Sequence, residues 1–144
     1  MSTQPYDEVI MDHIKNARNY RVLEDHDRQA SGSNPLCGDD MVLYLKLDHD
    51  RIVDLGFQCT CCGISMASAS AMTEMVKGGT IAEATRLLHD FATLVGNPAE
   101  SRPEALNAER LALLETVRRF PSRAGCAMLP WQILESAMNT NAQV

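Results

Sequence analysis

Residues 42–63 read VLYLKLDHDRIVDLGFQCTCCG, and this stretch decides the fold. Every second residue from 43 to 47 is a leucine, a turn-forming segment follows at residues 48–51, and an apolar run resumes over residues 52–57. Alternation with a period of two is typical of a β-strand that buries one face. The stretch therefore predicts a β-hairpin that leads directly into a cysteine-rich turn.

Helical patterns surround this hairpin. Segments with helical spacing cover residues 6–16, 64–77, 81–95, 103–117 and the stretch after Cys126. Thr80 followed by Glu83, and Ser101 followed by Glu104, fit capping boxes at the starts of two of these helices. Residues 17–40 lack any periodicity, so we expect a loop there.

The composition is that of one globular domain over residues 1–144. A chain of this length buries roughly 70% of its unfolded surface, which is enough for a core without disulfides. Its net charge of -6 argues against a general binder of nucleic acid or of an anionic membrane. The N-terminus resembles no export signal, and no segment approaches the about 18 apolar residues of a membrane span, so a cytoplasmic protein is expected.

The chain has five cysteines. They are Cys37, Cys59, Cys61, Cys62 and Cys126. An odd number without an export signal favours thiolates for metal or sulfur chemistry over paired disulfides. Three thiolates and one carboxylate can hold a divalent metal tetrahedrally, and Asp39 is the carboxylate nearest to Cys37. The alternative is that Cys62 and Cys126 are small buried side chains at the starts of two helices.

Three motifs, each with one cysteine, resemble the U-type iron–sulfur cluster assembly proteins, the family of IscU and of the N-terminal part of NifU. The motifs are NPLCGD at residues 34–39, CGISMASAS at residues 62–70 and RAGCAMLPW at residues 123–131. Their number and order make the signal specific. The long interval between the second and third motifs is similar to the insertion of the SufU branch. Gly125 stands where the IscU-like branch has a histidine, and residues 120–123 differ from its chaperone-recognition motif, so chaperone-driven transfer is not expected.

The resemblance implies an α+β fold, with a small antiparallel sheet of about three strands and helices packed on one face. It implies that Cys37, Asp39, Cys62 and Cys126 surround one zinc ion, or the iron of a [2Fe–2S] cluster in a scaffold state. Cys37 would accept persulfide sulfur from a cysteine desulfurase of the SufS type, whose docking releases Cys37 from zinc.

Two alternatives to sulfur acceptance remain. The first is a scaffold that assembles a [2Fe–2S] cluster and transfers it to downstream cluster-assembly or apo iron–sulfur proteins. The second is a structural zinc domain without sulfur chemistry, which the aspartate ligand disfavours, because closed structural sites usually carry cysteine and histidine.

The chain departs from the family pattern before the second ligand, where Cys59 and Cys61 replace the usual glycines. Cys62 aligns best as the ligand, with Cys61 as the alternative. Successive side chains of an extended segment point to opposite sides, so we do not expect both to bind one ion. Cys59 and Cys61 are interpreted either as a relay or alternative ligand, or as incidental thiols or a reversible oxidation pair.

Several other polar residues are open to two interpretations. Asp40 is either a substitute ligand or a solvated acid, and Arg123 either balances the anionic site or lies on the surface. The four histidines show no metal-binding motif and are expected to be packing or surface residues. Trp131 is expected to anchor the last helix.

Overall fold

The computed structural model describes residues 5–34, 38–96, 117, 119, 122 and 124–139. Its elements are α1 (Pro5–Lys15), β1 (Arg28–Asn34), β2 (Asp39–Asp48), β3 (Arg51–Thr60), α2 (Gly63–Val76), α3 (Ile81–Gly96) and α4 (Ala124–Asn139). The helix predicted over residues 103–117 lies outside the described residues, apart from Val117. Among the helices that are described, none has the length and apolarity needed to cross a bilayer.

The three strands form one antiparallel sheet in the order β1-β2-β3. Leu43 pairs with Phe57 and Leu45 with Leu55, and all four side chains are buried. They form the face on which the helices pack, as the leucine alternation predicts. The predicted α+β fold and the predicted hairpin are confirmed.

Strand β1 lies inside residues 17–40, which were predicted as a loop, and that prediction was wrong. The sequence of β1, RQASGSN, has no apolar alternation. The strand forms because its backbone pairs with β2 along its whole length. Gly32 lets α4 pack closely on it, since a Cβ at this position would lie 3.0 Å from Cγ1 of Ile133.

Helix α2 is rich in small residues and contacts α1, α4 and β3. Its hydroxyl groups are buried and hydrogen-bonded to the neighbouring elements. Ser68 donates to the carbonyl oxygen of Ala127 in α4 at 2.6 Å, and Ser70 lies 2.7 Å from Nδ1 of His13 in α1. These bonds fix α2 against two other helices, so the position of its N-terminus is well determined.

Helix α4 is anchored by Trp131, which is fully buried and stacks on Phe91 with ring centroids 5.1 Å apart. The helix begins at Ala124, two residues before Cys126. The expectation that Cys126 precedes the helix was therefore wrong, and its side chain lies in the first helical turn. Helix starts read from a sequence pattern are located only to within about one or two residues, because the first turn carries little periodicity, and the difference here is of that size.

Candidate metal centre

Asp39, Cys62 and Cys126 come together in the structure, and their potential ligand atoms all lie within 4.8 Å of one another. Asp39 is the first residue of β2, Cys62 is the N-cap of α2, and Cys126 lies in the first turn of α4. Asp39 and Cys126 are buried, whereas Cys62 is partly exposed. The N-terminal ends of β2, α2 and α4, which are distant in sequence, thus meet at this site. Solvent reaches the site through the partly exposed Cys62.

The carboxylate of Asp39 is held by two donors from α2. Its Oδ1 accepts the backbone N–H of Cys62 at 2.8 Å, and its Oδ2 lies 2.8 Å from the hydroxyl of Ser65. Asp39 is only 1% exposed, and it occupies the N-terminus of α2, where the helix dipole favours a negative charge. The side chain of Cys62 makes no cap hydrogen bond, so Asp39 satisfies this end of the helix instead.

Ser65 contacts all three residues of the candidate metal centre, Asp39, Cys62 and Cys126, which we call the trio. This role of Ser65 was not predicted from the sequence. Its hydroxyl oxygen lies 2.8 Å from Oδ2 of Asp39, 3.0 Å from the carbonyl oxygen of Cys126 and 3.6 Å from Sγ of Cys62. The available signal was helical spacing, because a residue three positions after the N-cap lies on the same side of the first turn.

A second polar side chain reaches the trio from β1. Nδ2 of Asn34 lies 3.7 Å from Sγ of Cys126 and donates toward this sulfur. Asn34, which contacts Cys126, and Asp39, a member of the trio, flank in sequence the segment that contains Cys37. Cys37 itself lies outside the described residues, as does Arg123, so their predicted roles stay predictions.

The residues of the trio suit zinc. Two sulfur donors and one carboxylate are ligands that zinc accepts, and zinc–sulfur bonds of about 2.3 Å place two ligating sulfur atoms roughly 3.8 Å apart in a tetrahedral site. The potential ligand atoms of the trio lie within 4.8 Å of one another, so they could supply three of the four ligands of one ion. The hydrogen bonds to Asp39 are of the kind that orient a metal-binding carboxylate.

The neighbouring acid and cysteines take other positions. Asp40 is exposed and does not belong to the trio. Cys61 forms a disulfide with Cys59, which agrees with the interpretation of these two cysteines as an oxidation pair and corrects the general expectation of unpaired thiolates. The physical reason is alternation, because residues 59 and 61 lie on the same side of an extended segment.

Cysteine at positions 59 and 61 carries no backbone strain. Neither residue has a positive φ, and β3 continues in extended conformation as far as Thr60. The turn that would favour glycine is therefore absent from this part of the chain.

The fold and the site together define a small α+β domain that presents two cysteine sulfurs and an aspartate as candidate metal ligands. The chain belongs to the family of the NifU-like N-terminal domain, whose model matches residues 5–127. The resemblance noted in the three cysteine motifs is thereby confirmed.

Relatives of known name support the same family. The chain is 38% identical over 133 residues to the zinc-dependent sulfurtransferase SufU of Bacillus subtilis, covering 92% of this chain and 88% of that protein. It is 36% identical over 138 residues to the iron–sulfur cluster assembly scaffold protein IscU of Streptococcus pyogenes, covering 95% and 84%. A crystal structure of the SUF-system scaffold protein SufU from Fervidobacterium islandicum matches with a TM-score of 0.83 and 31% identity, covering 94% and 97%.

Proposed function

We propose that this protein accepts persulfide sulfur from a cysteine desulfurase on Cys37 and passes it on for iron–sulfur cluster assembly. The observation that carries the proposal is the convergence of Asp39, Cys62 and Cys126. The similarity to a zinc-dependent sulfurtransferase over 92% of the chain supports it. We place the reaction in the cytoplasm, where thiols remain reduced.

Cys37, Asp39, Cys62 and Cys126 would hold zinc in the resting state. Bound zinc would keep the cysteine sulfurs deprotonated and nucleophilic, without redox chemistry of its own. The protein contributes the orientation of the ligands, since the N–H of Cys62 and the hydroxyl of Ser65 hold Asp39 in place. The partly exposed Cys62 marks the side from which a partner could approach.

The sulfur transfer is a thiol exchange. The Cys37 thiolate attacks the outer sulfur of the desulfurase persulfide, the bond between the two persulfide sulfurs breaks, and the desulfurase cysteine leaves as a thiolate. Gly38 helps to set the backbone next to Cys37, because its φ of 71° is one that residues with a Cβ rarely adopt. It is a turn residue between the acceptor and Asp39.

A scaffold is the second candidate function. The similarity to the IscU scaffold protein of Streptococcus pyogenes over 95% of the chain favours it. The same donor set could hold iron, and the [2Fe–2S] cluster would then be the cargo that the protein delivers to apo iron–sulfur proteins.

Turnover of cysteine by the cognate desulfurase tests the proposal. We expect the zinc-loaded protein to stimulate turnover strongly under reducing conditions, and the Cys37→Ala variant to abolish the stimulation. The matched control is Asp40→Asn, which changes an exposed side chain next to Asp39 but leaves the acceptor in place. Absence of stimulation by the wild-type protein would overturn sulfur acceptance, and iron-dependent cluster assembly on the protein would then support the scaffold.

A further inference from the structure

We propose that Cys59 and Cys61 form a redox-active dithiol that reduces the sulfur delivered to this protein and releases it as sulfide. The disulfide in the structure joins the two sulfurs that such a reaction would leave oxidised. The inference rests on the proposed function, because the sulfur-acceptor step supplies the persulfide.

The two cysteines are placed for reversible pairing rather than for stabilising the fold. They are two residues apart at the end of β3, and their Cα atoms are 5.5 Å apart, within the range of disulfides. A bridge over so short a loop removes little entropy from the unfolded chain, so it stabilises the native state less than a long-range bridge would. A chemical role explains the pair better than a structural one.

The backbone around the pair is held without the disulfide. Cys59 pairs with Met41 and Thr60 with Asp40 in the β2–β3 ladder. The hydroxyl of Tyr20 also donates to the carbonyl oxygen of Cys59 at 3.0 Å. The strand end therefore keeps its position in the reduced form, and the pair can cycle between dithiol and disulfide without refolding.

Small reactants can reach the pair. Cys59 and Cys61 are both partly exposed. Cys59 pairs with Met41, so its side chain lies on the helix-facing side of the sheet, at the end of β3 and at the margin of the core. A small persulfide, or a dithiol reductant that regenerates the pair, would approach the two sulfurs at this strand end.

The pair also borders the candidate metal centre. Cys61 is joined to Cys62 by one peptide bond, yet neither Cys59 nor Cys61 belongs to the trio. Thr60, between the two cysteines, pairs with Asp40, the residue after Asp39. The dithiol thus lies next to the place where the proposed function delivers sulfur, and its oxidation removes no member of the trio.

The reaction balances in two steps. One thiolate of the pair, for example that of Cys59, attacks the outer sulfur of a persulfide, and the original carrier leaves as a thiolate. The Cys61 thiolate then attacks Sγ of the Cys59 persulfide, which forms the disulfide and expels hydrosulfide. The dithiol loses two electrons, the outer sulfur gains them, and the two thiol protons end on the carrier and the sulfide.

The test uses the fully reduced protein under anaerobic conditions, after removal of the reductant. One sample receives an equivalent of cysteine persulfide, and a second receives the desulfurase with cysteine. We measure released sulfide and map the cysteines by peptide mass spectrometry. The expected result is one sulfide per chain in both samples, together with a Cys59–Cys61 disulfide.

Variants separate the steps. Cys59→Ser with Cys61→Ser should slow sulfide release by about tenfold or more, because no resolving thiol remains at this position. Cys61→Ser alone should trap one additional sulfur atom on Cys59, which keeps the test informative if the double variant folds poorly. Equal release by wild type and double variant, or a disulfide between other cysteines, would overturn the inference.

The two sources of persulfide distinguish failure of the inference from failure of the proposed function. If Cys37 is not the acceptor, the desulfurase sample releases no sulfide, whereas the sample with cysteine persulfide still does so and supports the dithiol. If the dithiol is inactive, the desulfurase loads Cys37 but no Cys59–Cys61 disulfide forms. Cys37→Ser is the matched control for the comparison of the two persulfide sources, because it removes the proposed acceptor and leaves Cys59 and Cys61 unchanged.

Discussion

Ser65 shows how a hydroxyl group that is not itself a candidate metal ligand can orient the residues that are. Its oxygen is buried within hydrogen-bond distance of the Asp39 carboxylate and the Cys126 carbonyl group. Together with the N–H of Cys62 it holds the carboxylate of Asp39 at the N-terminus of α2. A carboxylate held in this way needs little rearrangement when it binds a metal ion.

We therefore expect Ser65→Ala to lower zinc affinity by about 10–100-fold, the range found for outer hydrogen-bond partners of metal ligands. Competition for zinc between the protein and a chromophoric chelator measures the zinc affinity of each variant. Ser68→Ala is the matched control, because Ser68 is also buried in α2 but donates to Ala127 instead. Equal zinc affinity in wild type and Ser65→Ala would show that Asp39 needs no support from Ser65.

At the scale of elements, the contact between α1 and α2 depends on a buried polar cluster. His13 is 2% exposed, and its Nδ1 lies 2.7 Å from the hydroxyl oxygen of Ser70. The same oxygen accepts the backbone N–H of Arg18 at 2.8 Å. Ser70 thus connects α2 both to α1 and to the segment that follows α1, and it fixes this side of the helix that carries Cys62.

Ser70→Ala removes one hydrogen-bond partner from each of two groups at this contact. We expect the free energy of unfolding to fall by about 1–3 kcal/mol, since a buried polar group that loses its partner pays its desolvation cost. Urea denaturation followed by the fluorescence of Trp131 measures the change. Thr93→Ala is the control, because that exposed hydroxyl bonds within its own helix, and a change there should stay within about 0.5 kcal/mol. A loss no larger than that of the control would contradict the role of Ser70.

The start of α3 makes a pH-dependent contribution to stability. The N–H of Thr80 donates to Oε1 of Glu83 at 2.8 Å, and the N–H of Glu83 donates to Oγ1 of Thr80 at 3.1 Å. The bond from the Thr80 backbone lowers the pKa of Glu83 below its ordinary value. The carboxylate therefore stabilises the folded state above the unfolded pKa of about 4.3, and this stabilisation is lost as the pH falls through the folded pKa.

Glu83→Gln should therefore lower the Tm at about pH 7, and this effect should shrink as the pH falls from there through the folded pKa of Glu83. Thermal unfolding followed by circular dichroism over this range gives the difference between the two proteins. Glu135→Gln, which changes an exposed glutamate of α4, is the control at each pH. A difference that does not vary with pH would contradict the capping role of the carboxylate.

At the scale of the whole molecule, the packing of the elements brings the residues of the trio together. The sheet, α2 and α4 pack through a core that includes Leu45, Phe57 and Trp131, all fully buried. This packing brings the starts of β2, α2 and α4 together. The hydrogen bonds to Asp39 then set its orientation within the protein.

We expect the metal-free protein to stay folded and zinc to raise its Tm. A zinc concentration roughly 100-fold above Kd should raise the Tm by about 5–10 °C for a chain of this size. Circular dichroism and thermal unfolding before and after chelation measure both effects. Asp39→Ala should also fold but show a smaller zinc-induced shift. Unfolding on chelation would instead indicate a structural zinc domain.

Much of the fold follows from local sequence patterns. The hairpin, helices α1 to α3 and the capping box at Thr80 were predicted, because each depends on residues close together in the chain. Strand β1 could not be predicted in this way. It is an edge strand whose existence depends on backbone pairing with β2, and its own side chains carry no strand periodicity.

The amino-acid sequence alone limits the candidate metal ligands to a few cysteines and acids, and the motif that continues after Cys62 favours Cys62 over Cys61. Packing decides which of these candidates come together, because the distance between Asp39 and Cys126 depends on how β2 and α4 dock against α2. Only the tertiary structure shows that Ser65 orients Asp39 and that Cys59 pairs with Cys61. These contacts depend on side-chain positions in three dimensions, which local periodicity does not specify.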